Sequence, residues 1–268
     1  MQTPSSRFWH LARTAGLIVA MAVTGSACHV NFGTGIEARE TWTRSYPVTV
    51  GASLDVRETN GRVHIEATDG DKVEVVATRI SKAPTEEAAK ADLKESSINE
   101  TVSPTRVELE STGRAIELLA MGRSRTVHYE IKVPRSMSVT VKTTNGEVNV
   151  KGITGFLKIE AVNGQIDGAG LGAGAEVSSV NGRIRLEFAK LADAGVRCKT
   201  TNGQIVITVP ASTNATIAAR VVNGVIRTEN LDVEAQDDSR RRLDATIGAG
   251  GPEIRLETTN GEIRVVGK

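Results

Sequence analysis

The residue types most able to do chemistry are few in this sequence and lie far apart. The four histidines are His10, His29, His64 and His128, and the two cysteines are Cys28 and Cys198. The spacings of zinc ligands, redox Cys-x-x-Cys pairs, serine-hydrolase turns and calcium loops do not occur. A glycine-rich stretch at residues 168–174 lacks the strand-to-helix setting that phosphate loops need. The sequence therefore predicts no catalytic residue, no metal site and no cofactor site.

The first 28 residues have the pattern of an export signal. Basic residues precede an apolar segment at residues 15–23, which is too short to span a bilayer, and small residues then lead to Cys28. Residues 25–28 resemble the lipobox of bacterial lipoproteins, in which the cysteine is lipidated and becomes the mature N-terminus. Gly25 departs from that pattern, because leucine or a similar residue is usual there. An ordinary signal peptide cleaved near the same place remains the alternative.

The signal divides the chain into three predicted parts. Residues 1–27 are the signal peptide, residues 28–45 a polar tether that begins at a lipid-anchored Cys28, and residues 46–268 the folded domain. A lipid chain contributes on the order of 0.8 kcal/mol for each methylene buried in the bilayer, so the membrane is an expected partner. With Cys28 lipidated, the remaining cysteine has no partner for an internal disulfide.

The domain is organised by a recurring Asn-Gly pair. Four intervals between neighbouring asparagines in the central run are 18, 18, 21 and 21 residues, and two further pairs lie nearer the ends. A fixed period of about 20 residues is the signature of a repeat architecture. The pairs are Asn60-Gly61, Asn145-Gly146, Asn163-Gly164, Asn181-Gly182, Asn202-Gly203, Asn223-Gly224 and Asn260-Gly261.

Each pair has apolar residues at fixed positions on both sides. They stand six and four residues before the asparagine and three and five after it, as at Leu157, Ile159 and Ile166. Alternate residues of a strand share a face, so each repeat is predicted to be strand, sharp turn, strand with one apolar side. Cys198 occupies such an inward position, which predicts a buried structural thiol.

Two architectures fit this repeat. In a β-solenoid the Asn-Gly pair marks a corner, with residues 168–174 as a second corner, and equivalent strands stack coil upon coil. In an antiparallel meander or sandwich, each Asn-Gly pair is a two-residue hairpin turn with positive φ at both positions. The constant period favours the solenoid, because meanders need no fixed repeat length. The fold class is therefore all-β, a solenoid of about 20-residue coils, with the hairpin fold as the alternative.

Two segments depart from the repeat. Residues 84–99 are rich in helix formers, with Thr85 placed as an N-cap and Glu86 and Glu87 in the first turn, which predicts a short helix insertion. The interval from Asn223 to Asn260 is 37 residues, close to two coils, and includes a charged loop.

Composition and the outward positions argue against several functions. The net charge is +1, which does not suggest nucleic acid, and aromatic residues make up only 3%, which is unfavourable for stacking on sugars. Stacked coils would place Glu160, Ser178, Lys199 and Arg220 in one outward row, and Lys158, Glu176 and Arg197 in another. These rows mix charges, which suits solvated ladders better than the catalytic face of a polysaccharide-processing enzyme.

The repeated strand, Asn-Gly, x, Ile/Val coils, two Val-Pro-x-Ser steps and a lipobox-like Cys28 together resemble the bacterial putative adhesin domain family. The resemblance covers about residues 45–268 and implies a β-solenoid of a domain of unknown function at the cell envelope, with no catalytic residues to transfer. We expect an exported, membrane-anchored protein, in the periplasm or on the outer surface, that binds a protein or glycan without catalysis. A periplasmic envelope-stress regulator that docks on a membrane protein is the alternative.

Overall fold

The computed structural model of the chain describes residues 35–112 and 122–268. The expected signal and Cys28 lie outside these residues. Within the described ranges the N-terminal part forms β1 Ile36–Pro47, β2 Ser53–Asn60, β3 Val63–Thr68, β4 Lys72–Ala83, α1 Glu86–Glu95, β5 Ser97–Ser103, β6 Arg106–Thr112 and β7 Ser124–Pro134. The repeats follow as β8 Ser138–Asn145, β9 Val148–Lys151, β10 Leu157–Asn163, β11 Ile166–Leu171, β12 Ala175–Asn181, β13 Ile184–Phe188, β14 Val196–Asn202 and β15 Ile205–Val209. The last strands are β16 Ala215–Glu229, β17 Val233–Ser239, β18 Arg242–Ile247 and β19 Glu253–Gly267.

The strands of successive repeats stack in parallel and in register. β10 lies between β8 and β12, so that Ile159 is flanked by Val141 and Val177. After the corner, Ile166 is flanked in the same way by Val148 and Ile184. A hairpin would instead pair the two strands of one repeat antiparallel. The solenoid prediction is therefore confirmed, and the hairpin alternative is wrong.

The glycine of each pair is required by the close approach of neighbouring coils. A Cβ added to Gly182 would lie 1.7 Å from the carbonyl oxygen of Gly164, and one added to Gly164 would lie 1.7 Å from that of Gly146. Positive φ at both residues, which a hairpin turn would need, is absent: Asn230 is the one non-glycine residue with positive φ in the described ranges. Glycine at this position therefore leaves space for the backbone of the neighbouring coil at the corner.

The glycine-rich residues 168–174 begin inside a strand. β11 extends to Leu171, and its register with β13 shifts between Gly168 and Leu171. The expected second corner therefore starts later than the glycine-rich stretch does, because Gly168 is still paired with Leu186 of the next coil.

The N-terminal end of the stack is closed by antiparallel strands. β1 pairs with β4 over all of its length, β4 pairs with β7, and β7 lies parallel to β3 of the first coil. On the other side of the corner, β5 pairs with β6, which lies parallel to β2. The expected tether through residue 45 is corrected here, since the chain is already a paired strand from Ile36 onward.

Helix α1 packs on the outside of this closing layer. Thr85 caps it by accepting a hydrogen bond from the Ala88 amide at 3.2 Å, and Glu86 and Glu87 lie in its first turn as expected. Its apolar face is small, with Ala89 and Leu93 buried against strand residues. Helix formation at residues 84–99 is confirmed, although β5 begins at Ser97. We infer that packing rather than length stabilises so short a helix.

The C-terminal strands do not follow chain order. β16 and β19 each run straight through the corner, and β19 lies between β16 and the last regular coil, β14 and β15. β18 pairs antiparallel with the first half of β16, and β17 covers β18. The 37-residue interval before Asn260 therefore holds two antiparallel strands and a return to the stack, not two further coils.

Candidate binding surface

The corner asparagines form one continuous hydrogen-bonded ladder. The side-chain amide of Asn163 donates to Asn145 Oδ1 at 2.9 Å, and Asn181 donates to Asn163 at the same distance. The pattern holds on every rung, with donor–acceptor distances of 2.7–2.9 Å. In spatial order the seven rungs are Asn60, Asn145, Asn163, Asn181, Asn202, Asn260 and Asn223. The ladder fixes the side-chain amides of its five inner asparagines in one orientation, because each of them both donates and accepts.

A second row of β-branched residues runs beside the ladder. The residue before each asparagine is Thr or Val, and among the valines Val162, Val180 and Val222 are 41%, 43% and 59% exposed. In the same spatial order the row is Thr59, Thr144, Val162, Val180, Thr201, Thr259 and Val222. Neighbouring strands lie about 4.8 Å apart, so seven rungs extend over roughly 29 Å. The corner therefore presents two uncharged rows of side chains at a regular spacing.

The charged residues next to the corner are paired with one another. Lys142 contacts Glu160 at 2.8 Å, Lys158 contacts Glu176 at 3.4 Å, and Lys199 contacts Glu257 at 3.8 Å. Glu257 lies between Lys199 and Arg220, so the expected outward row has one more member than the sequence interpretation gave it. Exposed pairs of this kind contribute about 0–1 kcal/mol each. They compensate part of the charge on the outward face of the strands that precede the corner.

A buried polar cluster closes the N-terminal end of the corner. Glu58 is 6% exposed; its carboxylate accepts hydrogen bonds from the Ser111 hydroxyl and, at 2.8 Å, from the backbone N–H of Asn60. The Ser111 hydroxyl lies 2.6 Å from the Tyr129 hydroxyl. Burial raises the pKa of Glu58 to about 7, although these hydrogen bonds lower it in part. The carboxyl group is therefore poised to change charge near neutral pH.

A shallow groove of about 330 Å³ opens beside this cluster. Its walls include Arg57, Lys142 and Glu160 from the outward face. The inner row under the groove carries Thr143, whose hydroxyl is buried and makes no hydrogen bond to the described residues, like those of Ser179 and Thr200. The groove mixes both charges, because the carboxyl groups of Glu58, Glu110 and Glu160 line it together with Arg57 and Lys142.

The residues that the sequence singled out for chemistry lie apart from one another. Cys198 is fully buried between Val177 and Leu256 in the strand register, and burial raises the pKa of its thiol. His128 lies beside the first coil, where its Nδ1 accepts a hydrogen bond from the Arg62 amide at 3.0 Å and burial lowers its pKa. Within residues 35–112 and 122–268, no group of three or more His, Cys, Asp or Glu could hold a metal ion.

Two features of the surface were missed at the sequence level. The β-branched row could have been predicted from the sequence, since all seven positions before the asparagines are Thr or Val. Glu58 was readable as an exception, because the other repeats have a small, hydroxyl or valine residue two positions before the asparagine. Its partners were not, since Ser111 and Tyr129 lie 53 and 71 positions along the chain and only folding brings them together.

The fold and its corner define an all-β solenoid repeat protein with a regular, uncharged edge. Residues 130–266 match the model of the Toastrack DUF4097 family. That match covers just over half of the 268 residues, and the chain belongs to this family. The resemblance to an adhesin-like family of unknown function is thereby confirmed.

The solved structures similar to the chain include two described as adhesion proteins. A putative cell adhesion protein from Clostridium sporogenes ATCC 15579 is 13% identical, with 85% of this chain and 100% of that chain covered and a TM-score of 0.48. A putative adhesin from Bacteroides fragilis NCTC 9343 is 16% identical, with 84% and 97% covered and a TM-score of 0.41. No curated protein matches the chain.

Proposed function

We propose that this protein is a non-catalytic binding module of the bacterial cell envelope. Lipid on Cys28 would hold it at a membrane after removal of residues 1–27. The corner surface, defined as the asparagine ladder and the β-branched row beside it, would dock another macromolecule. Its membership of the Toastrack family is consistent with this role and assigns no chemistry of its own.

The observation that carries the proposal is the pre-organised corner surface. The asparagine amides are fixed by the ladder, and Val and Thr have few χ1 rotamers to lose. Ordering a flexible side chain at an interface costs about 0.5–1.5 kcal/mol. The side chains at this corner are already ordered in the unbound protein, so binding would add little of this cost. Part of the charge on the outward face before the corner is compensated by its own ion pairs, whereas the methyl groups of Val162, Val180 and Val222 at the corner remain exposed.

The position of the first strand supports an anchor close to the domain. β1 begins at Ile36, eight residues after Cys28, and an extended chain of that length spans on the order of 25–30 Å at most. Among the residues that the structure describes, no helix is long and apolar enough to span a membrane. A lipidated Cys28 would therefore hold the antiparallel end layer near the bilayer. The corner surface would then extend along the stack from that layer.

The test is capture of partners from cells that carry the native protein. We compare the parent chain with a corner variant, Val162→Lys with Val180→Lys, and with a control variant, Val76→Lys with Val102→Lys. All four valines are 37–43% exposed, so the control adds the same charge away from the corner. Mass analysis of the mature N-terminus, with Cys28→Ala for comparison, reports lipidation.

We expect a recurrent protein or glycan partner that the corner variant loses and the control variant keeps. A single membrane-protein partner lost in this way would identify an envelope regulator, whereas retention on glycans would identify an adhesin. Equal binding by both variants would exclude the corner surface as the binding site. A mature protein without lipid on Cys28 would overturn the anchor and leave the corner result unaffected.

A further inference from the structure

The strand β19 enters the stack out of chain order. The central coils before it, from β8 to β15, stack in the order in which they are made, but β16 leaves one rung open and β19 returns to fill it. It pairs with β14 and β15 on one side and with β16 on the other. The stack is therefore continuous at this place only when β19 is in it.

The rung matches β19 along its whole length. Asn260 donates to Asn202 at 2.7 Å and accepts from Asn223 at 2.8 Å, which joins the two parts of the ladder. Four inward side chains of β19 are fully buried: Ile254, Leu256, Ile263 and Val265. The rung thus selects a strand with this spacing of apolar residues around an Asn-Gly pair.

A short glycine-rich connection leads into this strand. Residues 248–252 join β18 on one side of β16 to β19 on the other, and Gly248, Gly250 and Gly251 have φ values of 56°, 76° and 152°. The Ala249 amide donates to Asn214 Oδ1 at 3.0 Å, which ties the connection to the start of β16. Glycines in such conformations can also take extended ones without a steric cost, so the connection can open.

We propose that two copies of this chain exchange β19, each filling the rung left open between β15 and β16 of the other. A second copy is the partner that fits, because it supplies the same strand in the same register, including the asparagine that the ladder needs between Asn202 and Asn223. Every contact of β19 is kept in the exchanged pair, and only residues 248–252 change conformation. Swapping of an identical element is a low-cost route to a dimer for this reason.

The exchange is made during folding. β19 lies between two strands with its apolar side chains in the core, so a folded chain cannot release it without opening the stack. The dimer that results carries two corner surfaces and would strengthen binding to a repetitive partner through avidity. The inference rests on the strand order, the register of β19 and the glycine-rich connection, and it does not depend on the proposed function.

The test uses the native Cys198 as a cross-linking reporter in a full chain that carries Cys28→Ala. Leu256 and Val177 are the two register neighbours of Cys198, on β19 and β12. Adjacent strands lie about 4.8 Å apart, within the Cα separations that a disulfide spans. Leu256→Cys therefore reports β19, and Val177→Cys is the matched control within consecutive coils. Each chain is refolded over a range of concentrations, oxidised, and run without reductant.

We expect cross-linked dimers from Leu256→Cys, with a dimer-to-monomer ratio that rises about tenfold for a tenfold rise in concentration while the dimer is the minor species. Val177→Cys should give only monomers cross-linked within one chain. Monomers alone from both variants would overturn the proposal, as would dimers in equal amount from both.

A second pair of variants covers the case in which a buried cysteine prevents folding. Thr200 and Thr258 are register neighbours near the corner, and Ser179 is the neighbour of Thr200 on the other side. In a Cys198→Ala background, Thr200→Cys with Thr258→Cys reports β19, and Thr200→Cys with Ser179→Cys is the control. The same concentration-dependent difference is expected, and its absence in folded chains would overturn the exchange.

Discussion

Asn260 donates a hydrogen bond to Asn202 at 2.7 Å, although 58 positions separate the two residues. The neighbouring rungs of the central coils are only 18 or 21 positions apart. This bond therefore marks one place where the order of the stack departs from the order of the chain; the rung from Asn145 to Asn60, 85 positions apart, marks another. It also shows that the ladder belongs to the spatial stack, since its geometry is the same across both kinds of step.

Removing one rung tests what the ladder contributes. Asn181→Ala deletes the bonds to Asn163 and from Asn202, each with a net worth of about 0.5–1.5 kcal/mol. We expect the free energy of unfolding to fall by about 1–3 kcal/mol, measured by urea denaturation with an unchanged slope. Asn149→Ala removes an amide that is bonded only to Glu147 and should lose less. Equal losses would mean that the ladder carries no special stability.

A methyl group at the corner should be far more harmful than one in a loop. In Gly182→Ala the new Cβ would meet the Gly164 carbonyl oxygen at 1.7 Å, so neighbouring coils must separate. Overpacking typically costs about 1–3 kcal/mol, and a contact this short places Gly182→Ala at the upper end of that range. The control is Gly70→Ala, where the nearest atom is 3.6 Å away and the free energy of unfolding should barely change. Thermal denaturation of both variants measures the contrast.

Substitutions on the inward and outward faces of one coil should have opposite effects on stability. Ile184 is fully buried, and Ile184→Asp would leave a lone carboxylate in the core at a cost of several kcal/mol. Arg183 donates to Gln165 on the outside, and Arg183→Ala should change the free energy of unfolding by less than about 0.5 kcal/mol. Circular dichroism should show an unfolded chain for the first variant and a folded one for the second. Similar stabilities would contradict the register.

Much of this fold was predictable because each repeat has the same pattern of inward apolar residues around its Asn-Gly pair. The inward register of Ile159, Val177 and Cys198 follows from period two within strands and from the constant distance to the asparagine. The helix was predictable for a local reason, its Thr85 cap. Neither inference needs knowledge of distant contacts.

What sequence could not give is the identity of neighbours across the stack. The residues around Asn260 have the same motif as those around Asn223, so any rung can in principle lie beside any other. The antiparallel end layer and the Glu58–Ser111–Tyr129 cluster are also assembled from distant strands. These features depend on which strands become neighbours in the stack. The repeat pattern does not determine that order, because the repeats are physically equivalent.

Glu58 should make stability depend on pH between its unfolded and folded pKa values. Its pKa is raised from 4.5 to about 7 by burial, so the folded state binds the proton more tightly. This contribution is fully present below pH 4.5 and is lost as pH rises through 7, and a shift of this size corresponds to about 3 kcal/mol. Glu58→Gln removes the titration. At pH 8 we expect it to be more stable than the parent in urea denaturation.

Glu160 is the matched control, because its pKa is shifted in the opposite direction to that of Glu58. The Lys142 ammonium lowers the pKa of Glu160, so its contribution is present above pH 4.5 and is lost as pH falls. Glu160→Gln should therefore leave the difference between pH 5 and pH 8 almost unchanged. A parent chain and Glu58→Gln with parallel pH profiles would contradict the assignment of this dependence to the buried cluster.

Cys198 should be unreactive while the fold is intact. In a chain with Cys28→Ala it is the one thiol, it is fully buried, and burial raises its pKa, so the reactive thiolate is scarce at pH 8. We expect negligible labelling by a thiol reagent in buffer and one label per chain in denaturant. Thr201→Cys with Cys198→Ala places a thiol on the exposed row of the same strand and should label at once. Rapid labelling of native Cys198 would mean that the strand register at β14 is wrong, or that the coils open far more often than their packing implies.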